Sequence, residues 1–138
     1  MKKYLFLIIV LLFHINNIYA DSILTIEIHN VTVNGGTVYV SIFYNEQAFR
    51  NKTANMVFPI DPINNIVQHE ITLPDGGYVI SIYQDVNGNG KMDYGLFRIP
   101  KEPYGFSNMQ GKIPGSFNAL KIVIGNSNRR IIIPLVNY

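Results

Sequence analysis

Apolar and polar residues alternate along most of the chain after residue 20. In the stretch ILTIEIHNV, Leu24, Ile26 and Ile28 fall on one face of an extended chain, and polar residues fall on the other. A period of two is typical of a β-strand with one buried face. The same alternation, in runs rich in Ile, Val, Tyr and Thr, recurs in residues 37–44, 56–60, 68–74, 78–85, 119–125 and 130–136. Regularly spaced short strands with almost no helical periodicity predict an all-β fold, a single antiparallel β-sandwich.

The residues between the strands refine this picture. Asn34–Gly36 separates the first two strands and predicts a β-hairpin, because Asn and Gly accept the positive φ angles of tight hairpin turns. Residues 45–55 are polar and predict a loop or one short helix. Pro59 has no N–H to donate to a sheet, so its strand is expected at a sheet edge.

One long segment, residues 84–117, lacks a clear period and is rich in Gly and Pro. Segments of this length in a compact domain are usually functional or disordered. Its aromatic residues favour an ordered loop, because disordered segments contain few aromatics. We expect Phe106 and Phe117 to pack as a lid over the core. Tyr94 and Tyr104 are expected to be more accessible, which makes them the candidate ligand-binding residues.

The first 20 residues have the layout of a secretory signal peptide. Lys2 and Lys3 form a basic start, an apolar run follows, and Ala20 supplies the small residue of a cleavage site. A membrane-spanning helix needs about 20 apolar residues, and this run is too short for a permanent anchor. The prediction is a signal peptide over residues 1–20 and one domain over residues 21–138. The mature protein is expected to be periplasmic or secreted, with no stable membrane span.

Removal of the signal peptide changes the charge of the chain. The whole sequence has a formal net charge of +2, and Lys2 and Lys3 account for it, so the mature domain is neutral. A neutral domain without a basic run gives no reason to expect a nucleic acid as partner. The chain contains no Cys, which excludes disulfides, thiol chemistry and zinc–thiolate sites.

The stretch DVNGNGKMD, residues 85–93, is the strongest candidate for a binding site. Oxygen-bearing side chains occupy alternate positions, and Ca²⁺ prefers six to eight oxygen ligands. The spacing matches the first nine positions of an EF-hand calcium loop, with Gly90 at the sharp bend. The predicted metal ligands are the side chains of Asp85, Asn87, Asn89 and Asp93 and the main-chain carbonyl of Lys91.

This loop departs from an EF-hand in two ways. Leu96 occupies the twelfth position, where an EF-hand has a bidentate Glu, and a strand precedes the loop in place of a helix. Glu102, further along the same segment, is the nearest candidate for the missing carboxylate. With so few carboxylates we expect a weak site, with a Kd of about 10⁻⁴ to 10⁻³ M. The flexible, oxygen-rich loop favours calcium over magnesium.

The same residues also fit a plain turn. Two successive Asn-Gly pairs are a strong turn signal, because both residues accept positive φ. A turn alone does not need an acid at each end, and Asp85 and Asp93 would repel each other unless a cation or solvent separated them. The metal site is the favoured interpretation, and the bare turn remains the alternative.

Residues suited to catalysis are few. Ser107 lacks the flanking glycines of a nucleophile elbow. His29 and His69 follow the strand alternation, which predicts an exposed sheet face for both, and neither belongs to a zinc-binding pair. No catalytic residue is therefore assigned, and a hydrolase is the least favoured class of function.

Three longer stretches carry a family resemblance. LPDGGYVISIYQDVNGNGKMD, IPKEPYGFSN and PGSFNALKIVI resemble the exported bacterial proteins grouped as domain of unknown function family 2141. The 85–93 loop and Glu102 fall within the resembling stretches, whereas Arg98 and Pro103 stand where glycine is usual in that family. The resemblance implies an exported β-sandwich of the prealbumin-like or immunoglobulin-like kind, and it implies no activity.

These observations favour a non-catalytic envelope module in which calcium orders the long loop. The ordered loop would offer a contact surface to a glycan, a peptide or an envelope protein. The alternative is an envelope assembly protein that pairs through an exposed sheet edge. Pro59 and Pro134 would protect sheet edges against such pairing.

Overall fold

The computed structural model describes residues 21–138, and the predicted signal peptide, residues 1–20, lies outside them. The described chain is built of short strands, with two brief α-helices and one 3-10 turn, Leu96–Arg98. The strands are β1 Ser22–His29, β2 Thr37–Phe43, β3 Met56–Ile60, β4 Val67–Leu73, β5 Gly76–Asp85, β6 Tyr104–Phe106, β7 Ile122–Ile124 and β8 Arg129–Pro134. The helices are α1 Glu46–Arg50 and α2 Phe117–Leu120.

The strands form two sheets, which confirms the predicted β-sandwich. The smaller sheet has the order β4-β1-β8, with β1 antiparallel to β4 and parallel to β8. The larger sheet has the order β3-β2-β5-β6, and β7 also pairs with β5. Strand β6 pairs with residues 81–83 and β7 with residues 76–78, so the two short strands follow one another along β5.

The core lies between the two sheets and is built from the alternate apolar residues of their strands. Leu24 and Ile26 of the smaller sheet, and Val40 and Ile82 of the larger, have no exposed surface. They belong to one buried cluster. Burying such a side chain stabilises the fold by about 1.5 to 3 kcal/mol. The period of two in the sequence therefore locates the core correctly.

The predicted hairpin between the first two strands is wrong. Strand β1 pairs with β4 and β8, whereas β2 pairs with β3 and β5 in the other sheet. The turn at Asn34–Gly36 instead carries the chain from one sheet to the other. Both edges of β1 are occupied by β4 and β8, so no edge is left for β2.

Two other local predictions are confirmed. Pro59 lies in β3, an edge strand of the larger sheet, and Pro134 ends β8 at an edge of the smaller one. The polar 45–55 segment contains helix α1, whose N-cap Asn45 accepts a hydrogen bond from the Ala48 N–H at 2.9 Å. None of the helices described in residues 21–138 is both long and apolar enough to cross a membrane.

A second apolar cluster covers part of the outer face of the larger sheet. Phe43 of β2 and Val79 of β5 pack there against Phe117 and Leu120 of helix α2, and Phe49 of α1 adjoins them. Phe117 is therefore buried as a lid, and Phe106 packs beside the same cluster. The lid lies on the outer face of the sheet and not over the space between the two sheets.

His69 does not lie on an exposed sheet face, as its sequence pattern predicts. It lies on the same face of β4 as buried Val67 and Ile71, and its ring lies 4.6 Å from the Phe58 ring of the other sheet, measured between centroids. Its Nε2 atom is buried and has no hydrogen-bond partner among the described residues. Burial lowers the pKa of His69, because an apolar surrounding disfavours the charged imidazolium.

Acidification from pH 7.5 to 5.5 is expected to destabilise the wild-type domain more than a His69→Leu variant. The unfolded chain takes up a proton at His69 near its ordinary pKa of about 6.5, while the folded chain resists protonation. The stabilisation is thus complete above about pH 6.5 and is lost as the pH falls towards the folded pKa. Urea unfolding at several pH values measures the free energy of unfolding of both proteins. If that free energy falls equally in the two proteins as the pH is lowered, the prediction is wrong.

Candidate metal centre and the adjoining cavity

Asp85 is the last residue of β5, and its side chain is 2% exposed. One carboxylate oxygen, Oδ1, accepts hydrogen bonds from the N–H groups of Gly88 at 2.9 Å and Asn89 at 3.2 Å. The other, Oδ2, accepts from the N–H of Gly90 at 2.7 Å. The first predicted ligand therefore also holds the loop closed around itself.

The turns of the loop follow from its Asn-Gly pairs. Gly88 and Gly90 have φ angles of +72° and +74°, which glycine adopts without steric cost. Each Asn side chain caps its own turn: Oδ1 of Asn87 accepts from the Asn89 N–H at 3.1 Å, and Oδ1 of Asn89 accepts from the Lys91 N–H at 2.9 Å. A carbonyl oxygen has two lone pairs, so each Oδ1 retains one for a metal ion.

Asp93 closes the far end of the loop. Its Oδ2 accepts hydrogen bonds from Nδ2 of Asn87 at 2.6 Å and Nδ2 of Asn89 at 2.7 Å. These two donors hold the pKa of Asp93 below its usual range, since they favour the charged carboxylate. The four predicted side-chain ligands are thus joined in one hydrogen-bonded group.

Glu102 is brought to the same place by the chain folding back on itself. The Asp93 N–H donates to Glu102 Oε2 at 3.0 Å, and the Lys101 N–H donates to the Asp93 carbonyl at 2.9 Å. Glu102 is 4% exposed, and its Oε1 has no hydrogen-bond partner among the described residues. Burial raises the pKa of Glu102, and the negative charges of Asp85 and Asp93 raise it further.

The atoms assembled here are the hard oxygen ligands that calcium takes. Within residues 21–138, no three Asp, Glu or His side chains form a metal-binding cluster by themselves. A cation here would therefore also draw on the Asn side chains and on the main-chain carbonyl of Lys91. The residues present fit that need, because hydrogen bonds join Asp85, Asn87, Asn89 and Asp93, and Glu102 is attached to this group through the Asp93 N–H.

A cavity of about 740 Å³ lies beside the loop, against the outer face of the larger sheet. Ser41 of β2 and Ser81 of β5 face each other across the two strands at its base. Part of the 84–117 segment covers it, and residues of helix α1 and the chain just after it form one side. Its aromatic walls include Phe43, Phe49, Tyr83, Tyr94, Tyr104 and Phe106.

Both candidate ligand-binding tyrosines line this cavity, but only one is accessible. Tyr94 is 45% exposed, and the Lys52 ammonium lies 4.8 Å from the centre of its ring. Tyr104 is only 2% exposed, which corrects the expectation of an accessible side chain. Its hydroxyl donates to the Lys112 carbonyl, and its main chain pairs with Val136. Tyr104 therefore shapes the wall of the cavity more than it presents a free hydroxyl.

Ser107 and His29 have structural partners. The Ser107 hydroxyl is buried, accepts from the Ile80 N–H at 3.0 Å and donates to the Leu120 carbonyl at 2.7 Å. His29 contacts the carboxylate of Glu27, which also pairs with Arg130. These contacts join main chain or neighbouring strands.

Sequence reasoning missed the cavity, although a signal for it exists. The outward-facing residues of β2 are Thr37, Tyr39, Ser41 and Phe43, none of them charged. A sheet face exposed to water normally carries charged and long polar side chains. Uncharged aromatic residues on the outward face of a confident strand indicate that another part of the chain covers that face.

Fold and site together define a class: an all-β sandwich with an oxygen-rich loop at the end of one strand and a cavity beside it. A family model described as "Uncharacterized protein conserved in bacteria (DUF2141)" matches residues 26–132, and the chain belongs to this family. The match confirms the resemblance found in the sequence. Neither a curated protein nor a solved structure matches the chain significantly.

Proposed function

We propose that this protein is an exported, non-catalytic module in which a calcium ion bound by residues 85–93 and Glu102 orders the 84–117 segment over the cavity. The observation that carries the proposal is Glu102 Oε1, a buried carboxylate oxygen without a partner. It lies in the group formed by Asp85 and Asp93, and a cation would supply the partner that it lacks.

The electrostatics of the group support a cation. Removing an ionised carboxylate from water costs several kcal/mol unless another charge or hydrogen bonds compensate. Asp85 is compensated by three N–H donors and Asp93 by two amide donors, whereas Glu102 accepts one hydrogen bond, from the Asp93 N–H, and has only a weaker main-chain interaction with Val86. A divalent cation would offset the repulsion among the three carboxylates.

The position of the loop connects the metal to the cavity. Met92, within the loop, and Tyr94, directly after Asp93, both line the cavity. Metal bound at Asp93 would restrict the main chain of these neighbours. Since metal stabilises only the folded arrangement, it would lower the entropic cost of ordering this wall.

Calcium is expected to raise the thermal midpoint of the metal-stripped protein that lacks residues 1–20. At about a hundredfold excess over Kd, the gain is roughly 2.7 kcal/mol, or about 10 °C for a domain of this size. Magnesium is expected to give a smaller rise, because it demands a tighter octahedral set of ligands. Calorimetry with a chelator, calcium or magnesium measures the three midpoints.

Glu102→Gln sharpens this test. Gln keeps the shape of the side chain and an acceptor for the Asp93 N–H, but it removes the buried charge. Without metal, the variant is expected to be at least as stable as the wild type; with calcium, its midpoint should not rise. The matched control is Glu70→Gln on strand β4, which should keep the full calcium response. A wild-type midpoint unchanged by millimolar calcium would refute the metal site. Residues 85–93 would then be interpreted as a turn without a metal ion.

A further inference from the structure

The base of the cavity is a gap in an otherwise aromatic and apolar surface. Along the outer face of β2 and β5, the facing pairs are Tyr39 with Tyr83, then Ser41 with Ser81, then Phe43 with Val79. The two tyrosine rings stack with centroids 5.1 Å apart and an interplanar angle of 13°. Two small serines between two larger pairs leave space beneath the covering segment, and their hydroxyls face that space.

The walls and rim are apolar and rich in rings. Phe49, Tyr94 and Phe106 contribute aromatic walls. Burial raises the pKa of Tyr83 to about 12, so its phenol is neutral at physiological pH. At the rim, Phe97 is 95% exposed and Ile113 is 72% exposed, although both line the cavity. An exposed apolar rim around a cavity of this size is typical of a site for a small organic molecule.

The charged side chains that line the cavity all have one sign. Arg50, Lys52, Arg98 and Lys112 line it, and no Asp or Glu does. Arg50 is paired with Glu46, but none of the described salt bridges uses the other three cations. Residues 21–138 carry no formal net charge, so this concentration of positive charge is local.

Arg98 and its neighbour occupy unusual backbone conformations at this rim. Phe97 and Arg98 have φ angles of +57° and +59°. Two successive residues other than glycine in the left-handed region cost about 1 to 2 kcal/mol each. These two residues place an exposed phenyl ring and a guanidinium on successive positions at the opening of the cavity.

We infer that the cavity binds a small molecule with a flat apolar ring system and one anionic group, such as a carboxylate, sulfate or phosphate. The aromatic walls stack on the rings, and Lys52, Arg98 and Lys112 bind the anion. A neutral glycan would leave Lys52, Arg98 and Lys112 without a charged partner among the described salt bridges, although Lys52 also contacts the Tyr94 ring. This inference deepens the proposed function, because it names the ligand class for the cavity that the metal loop adjoins.

A pair of dyes tests the inference. The anionic dye 8-anilinonaphthalene-1-sulfonate and the neutral N-phenyl-1-naphthylamine share one ring skeleton and differ by the sulfonate. Fluorescence titration of the folded protein is expected to show saturable binding of the anionic dye, at least tenfold tighter than that of the neutral one. The difference should shrink as salt is added, since salt screens exposed charges. Equal affinity for the two dyes would overturn the anionic part of the inference.

Substitutions locate the binding. The double variant Arg98→Gln and Lys112→Gln alters exposed side chains. It is expected to weaken the binding of the anionic dye at least tenfold and to leave the affinity for the neutral dye unchanged. Ser81→Leu fills the base of the cavity and should weaken the binding of both dyes. The control is Lys121→Gln, which changes a half-buried lysine that does not line the cavity and should alter the binding of neither dye. Dye binding that neither the double variant nor Ser81→Leu alters would overturn the assignment to this cavity.

The titrations are run with calcium and with chelator, beside the thermal midpoints. Charge-selective dye binding without any calcium effect on the midpoint would support the ligand class and refute the metal site. A calcium-dependent midpoint without dye binding would refute the ligand class alone. The two failures are therefore distinguishable.

Discussion

Alanine in place of Gly36 is expected to lower the free energy of unfolding by about 3 to 4 kcal/mol. Gly36 has a φ of +101°, and a Cβ atom there would lie 1.8 Å from the carbonyl oxygen of Asp85. The left-handed backbone costs about 1 to 2 kcal/mol for a residue with a side chain, and forced overpacking adds about 1 to 3 kcal/mol. The clash is with main chain, so no side-chain rotation relieves it.

Gly88→Ala is the matched control for this substitution. Gly88 also has a positive φ, +72°, but a Cβ atom there would meet nothing within 4 Å. Only the backbone cost applies, about 1 kcal/mol. Urea unfolding of the two variants measures both effects. If both variants lose the same free energy of unfolding, the turn at Gly36 can move away from Asp85 without cost. The close approach of the two main chains would then not contribute to the effect of Gly36→Ala.

Gln84→Leu is expected to cost about 3 kcal/mol. Gln84 has no exposed surface, and its amide makes three hydrogen bonds to the turn that joins the sheets. Nε2 donates to the carbonyls of Thr32 at 2.7 Å and Gly36 at 3.1 Å, and Oε1 accepts from the Thr32 N–H at 2.9 Å. Each such bond contributes about 1 kcal/mol net, and leucine can replace none of them.

Gln47→Leu provides the comparison, because Gln47 is an exposed residue of helix α1. A surface substitution of this kind changes stability by less than about 0.5 kcal/mol. Chemical denaturation of both variants gives the two values. A Gln84→Leu protein as stable as the Gln47→Leu protein would mean that water replaces all three bonds at no cost.

The sequence predicts local structure better than the pairing of strands. Alternation identifies β1, β2 and β5, because the side chains of a strand with one buried face must alternate. The partner of each strand depends on which edges remain free elsewhere in the chain. Asn34–Gly36 has the residues of a hairpin turn, yet the same residues serve a crossing between sheets, since both need positive φ.

The candidate site also has some features that the sequence predicts and others that depend on contacts between distant parts of the chain. The turns of the metal loop are readable, because Asn and Asp side chains bond to main chain only a few residues away. Glu102 is suggested by its position in the same segment. The burial of Tyr104 could not be read, since it depends on pairing with Val136, and the inward position of His69 depends on contact with Phe58 of the other sheet.

The parallel pair of β1 and β8 determines when this protein can finish folding. Residues 24–29 pair with residues 129–134, which lie 105 positions further along the sequence. Until that pair forms, β1 presents one unpaired edge, and such an edge is open to pairing with other chains. Contacts between distant parts of a sequence also form slowly, because a long stretch of chain must first be closed into a loop. We therefore expect the β1–β8 pair to be among the slower contacts to form, and the open edge of β1 to need protection while it forms.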